Sequence, residues 1–202
     1  MTANVINLDR AQIAQASEIL SNAFDSDPIF RYMMPSEEAR RNATKLIFGI
    51  ILRENQHCQH IYTTTPELKG IAVWVPPGRS ALSFLGSLQL GLLMPFKLGL
   101  PALGRALSLF NIIEKYHKQD MQRPHWYLAN LGVAPAYQGQ GIGASLLQPV
   151  LQRADSERLP CYLETSTNSA VRFYQRQGFE ILRIPELPQN VPPMWTMKRE
   201  AR

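Results

Sequence analysis

The sequence predicts an α/β domain: a twisted, mixed sheet of about seven strands flanked by helices, with a helical insert. Three observations predict it. Short apolar runs bounded by turn residues alternate with amphipathic stretches at helical spacing along the chain. A strand pattern at 125–134 leads through Pro135 into a helix opened by Gly139, Gly141 and Gly143. Between these two halves lies an uncharged interruption, since no charged residue stands between Arg79 and Lys97. With 202 residues, 45% hydrophobic and 18% charged, the chain suits one domain over 1–202 and does not suit disorder.

NVINL at 4–8 reads as a short first strand. Asp9 then caps a helix, with Gln12 in the reciprocal capping-box position and Ile13, Ala16, Leu20 and Phe24 on one face. Pro28 pushes its predecessor out of the helical region, so DSDP at 25–28 ends that helix. The next helix starts after Ser36, with Glu37 and Glu38 favourable in its first turn, and runs to about Asn55. CQHIYT at 58–63 and GIAVWV at 70–75 read as strands joined by a turn at TPELK. Residues 79–120 form the helical insert, read as helices at about 80–94 and 98–119. Ser80, Ser83, Ser87, Gln89 and four glycines dilute this segment, so no integral membrane span is expected; its apolar face needs a partner, which is the domain, a ligand pocket it covers, or a membrane surface. The second half, 125–199, continues with a strand at 125–134 and a helix at 139–156 that holds Pro149. It ends with a strand at 161–166, a helix at 169–177, and strands over GFEILRI and PMWTMKRE.

Composition narrows the function. The +5 net charge suits an anionic ligand, but no basic run is interleaved with aromatics, so nucleic-acid binding is not expected. Cys58 and Cys161 cannot build a disulfide framework, and MTANVINLDRAQ has neither a basic n-region nor an apolar h-region. A cytoplasmic protein is expected. His57, Cys58 and His60 lack a fourth ligand nearby and only two of them share a strand face, so no metal site is expected.

The glycines at the helix start let backbone amides approach a ligand, and the first turn of a helix carries unpaired N–H donors with a partial positive charge. Together these make a phosphate or pyrophosphate cradle. Gly-Ile-Gly is not the Gly-Lys-Ser/Thr of a P-loop, and Gly-x-Gly-x-Gly is not the dinucleotide fingerprint. The stretch does match Q/R-x-x-G-x-G/A in Gln138, Gly139, Gln140, Gly141, Ile142 and Gly143. With LGV before it and RFYQRQGFE at 172–180 after it, the sequence resembles the GNAT superfamily of acetyl-CoA-dependent N-acetyltransferases. Within the superfamily it is similar to the puromycin N-acetyltransferase group of small-molecule enzymes, through AFDSDP at 23–28, IAVWVPP at 71–77, HWYLANLGVAP at 125–135, YLETS at 162–166 and WTMKR at 195–199.

The resemblance implies a GNAT-like fold whose core acetyl-CoA-binding half is 125–199, and an enzyme that moves acetyl from acetyl-CoA to a primary amine of a small molecule. The amine attacks directly in a ternary complex. A protein N-terminal or lysine acetyltransferase, and a CoA-binding module without catalysis, are the alternatives; a homodimer is one assembly the resemblance allows. It implies that the amides of Gln138 to Gly143 hold the CoA pyrophosphate. The main chain of Leu131, Gly132 and Val133 pairs with the pantetheine arm, with the Leu131 N–H donating to the thioester carbonyl. Asn168 is the candidate for a further CoA contact, although relatives often carry that Asn nearer to Phe-Tyr, where Ala170 stands. Tyr174, in FY-x-x-x-GF, takes the place of the phenol that protonates the departing thiolate. Where many family members carry a Glu or His base on the strand ending at Val133, this chain has Tyr127. Glu164 on the next strand is the first substitute as base, and Phe24, Asp25 and Asp27 are candidate contacts for a cationic substrate.

Overall fold

Asp9 starts the first helical turn two residues after the first strand ends. In the computed structural model, which describes residues 4–81 and 84–202, β1 (Asn4–Asn7) runs into a capping box. The Asp9 carboxylate accepts from the Ala11 amide at 2.8 Å, and the Asp9 amide donates to the Gln12 side chain at 3.1 Å. α1 (Ile13–Phe24) follows, with Ala16 and Leu20 fully buried. Pro28 ends α1 as expected, but it also begins a helix that the sequence reading omits, α2 (Pro28–Met33). Proline needs no amide partner at the first helical position, and Asp27 caps the next two amides, of Ile29 and Phe30. α3 (Glu37–Asn55) starts from Ser36, whose hydroxyl accepts from the Ala39 amide.

β2 (Ile61–Thr65) begins three residues later than the sequence reading places it. Residues 56–58 wind into a tight turn, and Gln59 takes a left-handed conformation at φ 55°, which interrupts extended structure. β3 (Gly70–Val75) is buried throughout, and its alternation builds two cores. Ile71 and Val73 face Leu20, Phe48 and Leu52 of α1 and α3. Ala72 and Trp74 face the opposite layer, with Trp126, Leu146, Leu147 and Val150. That second layer is α6 (Ile142–Glu157), lying on β3 and on β4 (Trp126–Val133).

The chain closes with β5 (Cys161–Thr165), α7 (Asn168–Arg176), β6 (Glu180–Arg183) and β7 (Trp195–Arg199). The seven strands form one sheet in the order β1-β2-β3-β4-β5-β7-β6, with β4–β5 parallel and every other pair antiparallel. The expected seven-stranded mixed sheet with flanking helices is therefore the observed one.

The insert contains α4 (Phe84–Leu98) and α5 (Leu100–Asp120). The expected start of its first helix near residue 80 reaches into 82–83, outside the described residues. α4 packs on α3, and α5 on α2, where Leu109 joins Ile29, Met33 and Ala43. Polar ties hold the insert, among them Asn55 donating to the Ala81 carbonyl at 2.8 Å and Arg105 donating to the Met33 carbonyl at 3.1 Å. Among the described residues no helix is long and apolar enough to cross a membrane.

Gly132 shows how closely α1 lies on β4. A Cβ there would stand 2.9 Å from Leu20 Cδ2 and 3.0 Å from Ala23 Cβ. Leu20 is fully buried and Ala23 has no rotamer to change, so α1 itself must move. Gly132→Ala is expected to cost about 1–3 kcal/mol, the range for overpacking a filled core, read as a lower urea midpoint at unchanged slope.

Candidate active site

β4 and β5 start as neighbours and then part. They pair only at Trp126↔Cys161 and Tyr127↔Tyr162, although β4 continues for six more residues. β5 keeps pairing with β7 through Thr165. On its other side β4 carries a bulge: Trp74 pairs with Leu128 and Val73 with Asn130, which leaves Ala129 unmatched. A bulge bends its strand and increases local twist, which here accompanies the separation from β5. From Leu128 to Val133, β4 thus bonds to β3 on one edge and offers an unpaired edge on the other. Leu131, Gly132 and Val133 lie on that segment. An extended amide-bearing ligand fits such an edge as an added strand would.

The end of β4 leads directly to the glycine turn. Gly139 and Gly141 have φ of 75° and 79°, a region L side chains rarely adopt, and a Cβ on either would meet nothing within 4 Å. The turn therefore needs glycine for its backbone, and open space lies where side chains would stand. Gln138 fastens one end by donating to the Val133 carbonyl at 3.0 Å, and Gln140 donates to the Ala136 carbonyl at 3.3 Å. Gly141 caps α6, so the amides of Ile142 and Gly143 sit in its first turn without intrahelical acceptors. Gly143 packs beside Phe173 of α7, whose ring would be 3.3 Å from a Cβ. Asn168 is the first residue of α7 and is exposed.

Tyr174 lies on the α6 side of the sheet, 8% exposed, with its ring edge-on to Phe173 and Phe179. Burial raises its phenol above the ordinary tyrosine value, so it stays protonated across the working pH range. Among the described residues its hydroxyl makes no protein hydrogen bond.

Glu164 sits on the opposite face, two residues beyond the last β4–β5 pair. Its side chain is 9% exposed. Burial pushes its carboxyl up to about 7; the Tyr127 and Tyr162 hydroxyls, the next largest influences, pull it down, and Asp120 raises it further. Neither hydroxyl reaches Glu164 Oε1 as a geometric hydrogen bond, and that oxygen is left buried without a partner. Buried acceptors are nearly always satisfied, so this oxygen has the capacity to accept a further donor. Asn130 Oδ1 is a second such atom, on the parting segment of β4.

The wall above Glu164 comes from α5. His117 stacks on Tyr162 with ring centroids 4.4 Å apart and lies 4.5 Å from the Tyr127 ring. Its Nδ1 is 3.6 Å from Glu164 Oε1. The sequence reading does not single out His117 or His125. They stand eight residues apart across a helix end and a strand start, and no local spacing pattern signals their meeting. Tyr127 abuts Glu164 from β4 and fills the space beside it with a ring.

The N-terminal candidates are engaged inside the protein. Asp25 pairs with Arg40 at 3.0 Å and Arg41 at 3.6 Å. Asp27 caps α2 with one oxygen and accepts from the Ser166 hydroxyl with the other. Phe24 packs between Phe30 and Phe48, both 5.4 Å away, and contacts the Gly132 side of β4. Among the described residues no three His, Cys, Asp or Glu side chains converge as a metal site.

Residues 106–179 match a family described as the acetyltransferase (GNAT) family. The chain is 27% identical over 172 residues to an uncharacterized N-acetyltransferase of Schizosaccharomyces pombe, covering 82% of this chain and 69% of that protein. It spans less than half the length of three further curated relatives. A solved histone acetyltransferase HPA2 and related acetyltransferase from Corynebacterium glutamicum superposes with a TM-score of 0.69 at 21% identity, over 100% of this chain and 98% of that one. The Drosophila melanogaster polyamine N-acetyltransferase, which forms N-acetylagmatine, gives 0.63 at 15% identity over 98% and 99%. At these identities the structural likeness is one of fold.

Proposed function

We propose that this chain, whose residues 106–179 match the acetyltransferase (GNAT) family, is an acyltransferase that moves acetyl from acetyl-CoA to the primary amine of a small molecule by direct attack. The observation that carries this reading is the parting of β4 and β5 next to the buried Glu164 carboxyl. The family uses acetyl-CoA, and the free β4 edge with the glycine turn suits its pantetheine arm and pyrophosphate. The polyamine enzyme among the fold neighbours supports a small amine as acceptor.

A primary ammonium of pKa ~10 is only about one part in a thousand neutral at pH 7. In the proposed reaction Glu164, poised near 7, takes one ammonium proton, and the freed lone pair attacks the thioester carbonyl carbon. The carbonyl oxygen gains negative charge, which the Leu131 amide stabilises; one oriented donor is worth about 3 kcal/mol. As the C–S bond breaks, sulfur takes the Tyr174 phenol proton and the amide nitrogen returns one to Tyr174. Because burial makes this phenol a reluctant acid, the two transfers must occur together. Glu164 afterwards releases its proton to water. In this reading Asp25 and Asp27 are engaged by Arg40, Arg41 and the α2 cap.

A panel of amines incubated with acetyl-CoA, read by free CoA thiol, tests the proposal. Small amines, polyamines included, are expected to release CoA. Turnover on peptide lysines or N-termini alone would replace the small-molecule reading, and no release with any amine would leave only a CoA-binding module. The cradle is tested separately. Gly141→Val forces a β-branched residue to φ 79° and is expected to weaken acetyl-CoA binding at least tenfold by calorimetry, above about 1.4 kcal/mol. Equal affinity would remove the turn from the CoA site.

A further inference from the structure

The geometry points to His117, His125 and Glu164 as one proton-accepting unit: His125 fixes the tautomer of His117, and His117 offers a bare Nδ1 to the proton that Glu164 takes from the substrate. This rests on the reading of Glu164 as the base. The tautomers follow from the contacts. The Arg123 carbonyl oxygen can only accept, so its 2.8 Å contact with His125 Nδ1 requires an N–H there. Neutral His125 then carries its lone pair on Nε2, which lies 2.7 Å from His117 Nε2. His117 must donate from that nitrogen, which leaves its own lone pair on Nδ1, 3.6 Å from Glu164 Oε1.

Both rings are neutral at working pH. Burial lowers His117 to about 4, with His125 as the next cause, and burial also lowers His125. The remaining groups around the pair are Glu114 and Asp120 on α5, Tyr127 on β4, Tyr162 on β5 and Arg183 on β6, which is bonded to Asp120 at 3.0 Å. With Glu164 ionised, two acceptors face each other across 3.6 Å. When an ammonium N–H bond breaks and the Glu164 O–H bond forms, the new O–H can donate to His117 Nδ1 and close that gap. The neutral carboxyl is stabilised without a charge change on either ring. The proton leaves for water from Glu164 once the amide product departs. His117 and His125 are positioning residues that act through Glu164.

Nitrogen-15 NMR of the histidine rings in the intact wild-type protein at pH 7.5 tests the tautomers directly. The expected result is Nδ1–H for His125 and Nε2–H for His117. Two Nε2–H rings, or an imidazolium at either position, would overturn the assignment. The second measurement is the pH profile of kcat/KM for an accepted amine. His117→Phe removes the acceptor for the Glu164 proton, so the acid limb is expected to move down by about one pH unit and the plateau to fall at least tenfold. His117→Gln, whose amide oxygen can accept, is expected to keep the limb near the wild-type position. A lower rate with an unmoved limb in His117→Phe would overturn the role of the histidines. Full activity in Glu164→Gln removes the base assignment and this inference with it; an inactive Glu164→Gln beside an unmoved His117→Phe limb removes the inference alone.

Discussion

Tyr174→Phe is expected to lower kcat by about 10²- to 10⁴-fold while acetyl-CoA affinity stays near wild type. The change keeps the ring that packs against Phe173 and Phe179 and removes only a hydroxyl without a protein partner among the described residues. Stability should therefore hardly change, which separates a chemical role from a packing one. The loss should shrink above pH ~8.5, where a free thiol leaves readily as thiolate. Turnover within threefold of wild type would falsify the general-acid assignment and pass the proton to water.

Glu164→Gln should give the opposite signs in two measurements. Activity at pH 7 is expected to fall about 10²- to 10⁴-fold with loss of the base. Stability at pH 8 is expected to rise. The folded carboxyl titrates near 7, against an ordinary 4.5, so the native state holds this proton more tightly than the unfolded chain. Stability then falls as pH rises from about 4.5 through 7, by up to about 3 kcal/mol for a shift of this size. Glutamine carries no such penalty, so thermal melts of the two proteins should coincide near pH 4.5 and diverge above pH 6. Parallel melts across that range would mean that Glu164 is not a strained buried acid.

Much of the frame is legible in short-range chemistry. Asp9 with Gln12, and Ser36 before two glutamates, mark helix starts that the structure has at those residues. The glycine turn is legible because φ near 75° at Gly139 and Gly141 admits few other residues. Pro28 misleads because one residue type serves two positions, ending one helix and opening the next. The start of β2 misleads because Gln59 adopts a conformation its residue type seldom takes. The sequence names Glu164 as a candidate but cannot show its burial, which depends on α5 folding back from the insert onto Tyr127 and Tyr162. It also cannot show that Asp25 is held by arginines, because Arg40 and Arg41 lie on α3.

The open edge of β4 has a consequence for the lifetime of the protein. A strand bonded on one side only is completed by whatever occupies the other, so on the proposed reading part of the folding free energy resides in a metabolite. At a concentration a hundred times its dissociation constant, acetyl-CoA would add about 2.7 kcal/mol to the folded state. Differences of 1–2 kcal/mol change steady-state abundance several-fold where unfolded chains are degraded. The amount of enzyme would then follow the acyl-donor supply without any dedicated regulator, through proteolysis of the chains that lack their last strand.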